Sequence, residues 1–236
     1  EPGHVLAPQT IPHDAALHLE AAGYDLSSTT VLRDERATKD DDERDAIEAV
    51  QRAAQRGIGR AASILTDATV EDDTLVWNDA PLSSERLRRQ VNATLAIEGV
   101  DAAGATAVTA GTRGGRGDTV ELEPGEPFVV SVAPRGPAGY RSDLARTFVV
   151  DADGGWERRA HVACDAARNV ALVEATPGAD AGFVGSEIRA ETAAFGFSMD
   201  DEVTRDVGGG IGVSTGEAPE LDGDTERDAG NVRKSR

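Results

Sequence analysis

The stretch from Phe128 to Val150 constrains the fold more than any other part of the chain. It reads FVVSVAPRGPAGYRSDLARTFVV, in which two apolar runs flank prolines and glycines at positions 134, 136, 137 and 139. Apolar runs separated by such residues predict strand, turn and strand. Opposed residues on paired antiparallel strands point to the same face, so this hairpin can pack one face on a core and present functional groups on the other. Its one obvious functional group is Asp143.

The charge of the chain excludes several kinds of partner. The 236 residues carry 43 acidic against 24 basic side chains, a formal net charge of −19, and Lys39 and Lys234 are the only lysines. Such a surface repels nucleic acid and anionic membranes, and it stays soluble where salt screens its self-repulsion. We therefore expect no nucleic-acid or membrane partner and an adaptation to a salty cytoplasm, as in halophilic proteins. No apolar run approaches the length of a membrane helix, which also predicts a soluble, cytoplasmic protein.

Cysteine and histidine give no metal-binding pattern. The single cysteine, Cys164, excludes an internal disulfide and a Cys-based zinc site, and its helical context predicts a small buried side chain. His4, His13 and His18 match no metal-ligand spacing and are predicted to be solvated loop residues. His161 is predicted to have a surface or packing role on a helix.

Periodic apolar residues predict four longer helices. The clearest spans residues 36–65, where Asp40 and Glu43 have capping-box spacing ahead of an apolar stripe. A second follows Ser83 and stops at Gly99. Two more lie beyond the hairpin, one over 154–175 with an apolar face of Val162, Ala166, Val170 and Val173, and one that carries Val184, Ile188, Thr192 and Phe195. A short helix at 15–22 and strands at 28–32 and 105–110 complete the prediction.

Several short motifs follow one another in a fixed order. They are RATK at 36–39 ahead of an acidic helix, LEPGE at 122–126, GYRSDLART at 139–147, TPG at 176–178, GGGIGV at 208–213 and GEAP at 216–219. This order resembles the catalytic domain of the creatinase, prolidase and aminopeptidase P superfamily over roughly residues 20–230. The resemblance implies an α/β (α+β) protein with the pita-bread fold, a curved antiparallel sheet covered by helices. It also implies that residues 1–35 are a truncated remnant, either the tail of an N-terminal domain or a linker, that 36–230 form the pita-bread domain and that 231–236 are a C-terminal tail.

The resemblance implies a metal site that this sequence does not reproduce. Active members hold two divalent metals, such as Mn, Co or Zn, with two Asp, one His and two Glu, and the metals activate a water. The two Asp positions, eleven residues apart and opposed on the hairpin, are Val132 and Asp143 here, and the His ligand position is Gly209.

Further expected groups are also missing. A substrate-side His is replaced by Gly216, although the neighbouring Glu217 is present, and no His lies between residues 105 and 126 to shuttle protons. The two Glu ligands are expected beyond Val232, where the chain reads RKSR and ends. Asp143 is thus the one expected ligand that the sequence keeps, and a lone carboxylate cannot retain a metal pair. The sequence accordingly predicts no bound cofactor.

Three functional hypotheses follow from the resemblance. The favoured one is a non-catalytic relative that binds a peptide or protein in the groove, as some pita-bread domains of chromatin and ribosome-associated factors do. The alternatives are an active metal-dependent Xaa-Pro peptidase with two bound metals, and a truncated product without selected function. Whether the chain forms a homodimer is left open.

Four residues are candidates for the groove or the metal site. Tyr140, Arg146 and Glu217 are predicted to line the groove, and Asp143 is the candidate metal ligand. Simpler roles stand beside these: packing for Tyr140 and Arg146, a solvated loop position for Glu217, and for Asp143 a turn cap or an ion pair with Arg141 or Arg146.

Overall fold

The computed structural model describes residues 3–111, 113–114, 119–198 and 206–222, and it begins with a small βαβ unit. Strands β1 (His4–Pro8) and β2 (Asp25–Thr29) pair in parallel, and helix α1 (His13–Ala21) connects them. The predicted short helix is confirmed. His4, His13 and His18 are exposed as predicted, but they lie on β1 and α1 rather than in loops.

The strand predicted at residues 28–32 is wrong in its second half. The parallel pairing ends at Thr29, and helix α2 (Val31–Ala37) begins two residues later. The Thr30 hydroxyl donates a hydrogen bond of 2.8 Å to the Asp34 carboxylate, which favours a helical turn over the extended chain that Val31 and Leu32 suggest. Helix α2 runs across the predicted boundary between residues 35 and 36, and the division of the chain into segments stays a prediction.

Helix α3 (Asp41–Asp67) is the longest helix of the described chain and carries the predicted capping box. The Glu43 N–H donates to the Asp40 carboxylate, and the Asp40 N–H donates to the Glu43 carboxylate, each at 2.9 Å. The helix begins at Asp41 rather than at residue 36, because α2 ends at Ala37 and Thr38 is extended. Its buried stripe includes Val50, Ala54, Ile58 and Ala61, as the periodicity predicts.

A three-stranded antiparallel sheet that was not predicted from the sequence separates α3 from the next helix. Strands β3 (Thr69–Glu71), β4 (Thr74–Trp77) and β5 (Ala80–Pro81) are too short for a clear alternating pattern. Helix α4 (Ser84–Ile97) then follows the predicted cap, since the Ser83 hydroxyl accepts a hydrogen bond from the Arg86 N–H.

The central antiparallel sheet contains the predicted hairpin. Its strands are β6 (Thr106–Ala110), β7 (Arg113–Gly114), β8 (Phe128–Val132) and β9 (Leu144–Phe148), in the order β7-β6-β8-β9. Helices α3 and α4 pack on this sheet, and the shared core buries Leu87, Val91, Leu95, Val108, Phe128, Val130 and Val132. The prediction of a mixed α and β protein with antiparallel sheets covered by helices is confirmed.

Helices α5 (Trp156–Glu174) and α6 (Ala181–Ala194) pack together and precede an antiparallel hairpin of β10 (Asp206–Ile211) and β11 (Thr215–Asp222). The apolar face predicted on α5 is not the buried one: α5 buries the small residues Ala163 and Ala167, while Val162 and Val173 are 45% and 69% exposed. Cys164 is exposed, so its predicted burial is also wrong. His161 lies on the surface of α5.

None of the helices in the described ranges combines the length and the apolar character needed to cross a membrane.

Candidate functional site

A pocket of about 230 Å³ lies where the first helices meet the β10–β11 hairpin. Six residues line it: Arg36, Lys39, Glu43, Tyr140, Val213 and Glu217. Helix α2, the α2–α3 connection and the first turn of α3 supply the first three. The β8–β9 turn supplies the tyrosine, and the β10–β11 hairpin supplies the last two. Three separate segments of the chain, residues 36–43, the β8–β9 turn and the β10–β11 hairpin, therefore converge on one small polar cavity.

The capping box of α3 fixes one wall of the pocket. It holds the Glu43 carboxylate beside the Asp40 N–H, and the Tyr140 hydroxyl donates a 2.7 Å hydrogen bond to the other oxygen, Oε1. The hydrogen bond to Glu43 raises the pKa of Tyr140, with partial desolvation and the nearby negative charges of Glu43, Asp40 and Glu217 adding to the effect. Tyr140 is therefore a neutral hydrogen-bonding group at physiological pH.

Glu217 also lines the pocket and is buried, with a side chain only 7% exposed. Lys39 Nζ donates to its Oε2 at 2.9 Å, while Arg36 and the Ser214 N–H donate to its Oε1. Burial by itself raises the pKa of this carboxyl, but the hydrogen bonds from Lys39, Arg36 and Ser214 outweigh it and lower the pKa to about 2. The predicted role as a solvated loop residue is therefore wrong, because Glu217 is a buried, ionised and multiply bonded strand residue.

Gly212 makes room for this carboxylate. The glycine is itself buried, and a Cβ built on it would collide with both oxygens of Glu217. Its carbonyl also accepts a 2.7 Å hydrogen bond from the Arg141 N–H, which joins the β10–β11 hairpin to the β8–β9 turn beside Tyr140. The glycine-rich motif thus serves packing at this position.

The pocket contains Tyr140 and Glu217 of the predicted groove residues but not Arg146. Arg146 is an exposed residue of β9, and its guanidinium donates to the carbonyl of Ala145. The assignment of Arg146 to a substrate groove stays a prediction.

Asp143 is exposed and lies directly before β9. Among the described residues it forms neither the predicted turn cap nor an ion pair, because Arg141 and Arg146 donate instead to the carbonyls of Ala133 and Ala145. The simpler structural roles predicted for Asp143, a turn cap or an ion pair with Arg141 or Arg146, are therefore wrong. Partial desolvation raises the pKa of the Asp143 carboxyl, and no neighbouring cation in the described chain offsets the effect.

The residues at the implied metal-ligand positions do not fit a pair of divalent cations. Val132 is fully buried in the apolar core, and it pairs with Leu144 rather than with Asp143, so the predicted direct opposition of positions 132 and 143 is wrong. At Gly209 an added Cβ would lie 3.3 Å from the Pro219 carbonyl oxygen, which is tighter than an ordinary contact. Across the described ranges, no three His, Cys, Asp or Glu side chains come together in a group that could hold a metal ion.

The role of Arg36, Lys39 and Glu43 in this pocket was not predicted from the sequence. The capping role predicted for Glu43 is confirmed, but Arg36 belongs to α2 and Lys39 to the α2–α3 connection rather than to the long helix. One signal was available: Lys39 is one of only two lysines in a chain that otherwise uses arginine. Lysine presents a compact ammonium group with three donor hydrogens, in contrast to the planar guanidinium of arginine.

Comparison with known proteins assigns the family. Residues 79–233 match the model of Peptidase_M24, metallopeptidase family M24. The chain belongs to this family. The predicted resemblance to the prolidase and aminopeptidase P superfamily is thereby confirmed. A search among curated proteins finds no match to the M24 chain.

Solved structures support the pita-bread fold of this M24 chain. Prolidase from Pyrococcus furiosus superposes with a TM-score of 0.79 at 19% identity, covering 94% of this chain and 64% of the prolidase. Dipeptidase PepE from Mycobacterium ulcerans superposes with a TM-score of 0.73 at 24% identity, covering 98% of this chain and 58% of the dipeptidase. The N-terminal domain of the FACT complex subunit SPT16 from chickpea, Cicer arietinum, superposes with a TM-score of 0.71 at 14% identity. The match covers 98% of this chain and 57% of the SPT16 chain.

These likenesses show the fold alone, because all three identities are low. The M24 chain spans less than two thirds of the length of each of these structures. Activity, substrates and partners of the whole proteins therefore do not transfer directly.

Proposed function

We propose that this chain is a non-catalytic member of family M24 that binds a peptide or protein segment beside Tyr140 and Glu217. The observation that carries the proposal is the state of Glu217. Both of its oxygens accept hydrogen bonds from protein groups, and its pKa is lowered to about 2. A carboxylate with so low a pKa and no free oxygen is a poor general base or acid near neutral pH.

The implied ligand positions support the same conclusion. Val132 has no donor atom and Gly209 has no side chain, so Asp143 alone remains of the three ligand positions within the matched region. Metal affinity in such sites comes from several deprotonated ligands that converge with the correct geometry. One carboxylate of this kind does not support a catalytic step through a metal pair.

The groove itself supports binding as the retained function. The pocket is concave and places hydrogen-bonding groups next to the apolar surfaces of Tyr140 and Val213, a combination that can orient a bound ligand. A peptide or protein ligand is the proposed partner. The composition, with its net charge of −19, supports the further proposal that the protein works in a salty cytoplasm.

The deciding experiment is a calorimetric titration with Mn²⁺, Co²⁺ and Zn²⁺ in high salt, beside a hydrolysis assay on Xaa-Pro dipeptides and tripeptides. We expect no tight binding of two metals and no turnover from a folded sample, together with measurable binding of peptides. The matched variant is Asp143→Asn, which removes the remaining ligand candidate. Tight binding of two metals, with turnover that Asp143→Asn abolishes, would restore an active Xaa-Pro peptidase. Turnover that survives in Asp143→Asn identifies a contaminating peptidase and leaves the proposal standing.

A further inference from the structure

The acceptor groups of the pocket are already occupied. Glu217 Oε1 accepts from Arg36, from the Ser214 N–H and from the Ser214 hydroxyl, and its Oε2 accepts from Lys39. Each oxygen of Glu43 likewise accepts a hydrogen bond, one from Tyr140 and one from the Asp40 N–H. The carboxylates therefore serve the structure of the pocket and offer little to a ligand.

The donor groups of the pocket are only partly used. Arg36 donates to Glu217 and Ser214 through a single terminal nitrogen, so its Nε and its other terminal nitrogen have no acceptor among the described residues. Its side chain is 49% exposed. Lys39 donates to the Arg36 carbonyl at 2.6 Å and to Glu217 at 2.9 Å, which leaves its third hydrogen without an acceptor in the same ranges.

A surplus of cationic donors selects an anionic acceptor. The unused edge of a guanidinium has the planar geometry that binds both oxygens of a carboxylate at once. The two cations and the two carboxylates of the pocket are balanced in charge, so this selection rests on directed hydrogen bonds rather than on net attraction. At 1 M salt the Debye length is about 3 Å, and the acidic surface of the protein then repels an anion only weakly.

The rest of the pocket is suited to an apolar group next to that carboxylate. Tyr140 and Val213 line it, and Val213 is 45% exposed. A volume of about 230 Å³ is smaller than the roughly 300–1,000 Å³ of clefts that hold drug-sized ligands. The pocket therefore accommodates about one amino-acid residue rather than a long peptide.

We infer that the pocket binds a peptide carboxylate through the free edge of Arg36 and the third hydrogen of Lys39, with the adjoining apolar side chain against Tyr140 and Val213. This inference rests on the proposed peptide-binding function and names the chemical group that the site recognises. The carboxylate has two sources in a peptide, its C-terminus and the side chain of an Asp or Glu.

The test is calorimetry in high salt with three peptides that carry a C-terminal carboxylate, no carboxylate, or a side-chain carboxylate. They are acetyl-Gly-Leu as the free acid, acetyl-Gly-Leu-amide, and acetyl-Gly-Asp-Leu-amide. Hydrogen bonds to charged groups contribute about 1.5–3 kcal/mol, so we expect the free acid to bind roughly 10- to 100-fold more tightly than the amide. Equal binding of the Asp-containing amide and the free acid supports the carboxylate site and identifies a side chain as a second source.

Variants locate the effect at the pocket. Arg36→Gln should abolish the difference between acid and amide. Arg52→Gln should retain it, because Arg52 is a similarly exposed arginine on α3 that does not line the pocket. The comparison of acid and amide on the unmodified protein does not depend on whether Arg36→Gln folds.

The outcomes separate this inference from the proposed function. If the amide binds as tightly as the free acid, carboxylate recognition is overturned and peptide binding stands. If no peptide binds but acetate shifts the NMR signal of the Arg36 Nε, the carboxylate site stands and peptide binding fails. If neither a peptide nor acetate binds to the folded protein, both are overturned.

Discussion

Lys39 and Glu217 are 178 residues apart in the sequence, yet the Lys39 ammonium donates a 2.9 Å hydrogen bond to the Glu217 carboxylate. The two side chains are only 13% and 7% exposed. This contact joins the α2–α3 connection to the β10–β11 hairpin and closes one side of the pocket. Because Arg36 shares the same carboxylate, the three residues form one charged network.

The Lys39–Glu217 pair should be strongly coupled in a double-mutant cycle. Removing one partner of a buried ion pair leaves the other charge uncompensated, although Arg36 here reduces the cost. We expect Lys39→Met to lower the free energy of unfolding by about 1–3 kcal/mol, and Lys39→Met with Glu217→Gln to cost less than the sum of the single changes. Urea unfolding in high salt measures this, and strictly additive effects would contradict it. The exposed Arg52–Glu48 pair is the control, with an expected coupling of about 0.5 kcal/mol or less.

Stability should depend on pH through Glu217. Its pKa in the folded protein is about 2, below the ordinary value of 4.5, so folding favours the ionised form. The resulting stabilisation is fully present above about pH 5 and is lost as the pH falls towards 2. At 1.36 kcal/mol per pKa unit, the loss attributable to this group is of the order of 3 kcal/mol. Between pH 7 and pH 3 the unmodified protein should therefore lose more stability than Glu217→Gln, and equal losses would show that Glu217 is not a strongly perturbed group.

Gly212→Ala should disturb the pocket through Glu217. The added methyl group would collide with the Glu217 carboxylate and displace it from Lys39 and Arg36. We expect a loss of about 1–3 kcal/mol in the free energy of unfolding, as for other overpacked sites. In a Glu217→Ala background the same substitution should cost much less, because the colliding atoms are absent. If Gly212→Ala costs the same stability in the Glu217→Ala background, the collision with the Glu217 carboxylate is not the cause of the loss.

Two glycines of α3 should respond differently to replacement by alanine. A Cβ at Gly59 meets nothing within 4 Å, whereas one at Gly57 lies 3.0 Å from a Leu95 methyl carbon and 3.4 Å from Val91. Alanine is favoured over glycine inside a helix by roughly 0.5–1 kcal/mol, so Gly59→Ala should raise the melting temperature. Gly57→Ala should raise the melting temperature less than Gly59→Ala or should lower it, because α4 packs directly on that position. Equal stabilisation by both changes would mean that the α4 side chains can move aside for the added methyl group at little cost.

The sequence determined much of the local structure and the family. Asp40 with Glu43, Ser83, and the prolines and glycines around position 136 predicted the helix starts and the central hairpin, because caps and turns depend on residues within a few positions. The order of motifs predicted family M24 and its fold for the same reason, since each motif is a local pattern. The absence of donor groups at Val132 and Gly209 was also evident from the sequence alone.

The tertiary structure decided which face is buried and which charges meet. The buried side of α5 carries small alanines rather than the larger Val162 and Val173, because the close packing of α5 on α6 selects for size as well as polarity. Glu217 looked like a solvated residue because its partners Lys39 and Arg36 are some 180 positions away in the chain. Burial, hydrogen bonding and charge pairing depend on neighbours in space, and only the folded chain brings these neighbours together.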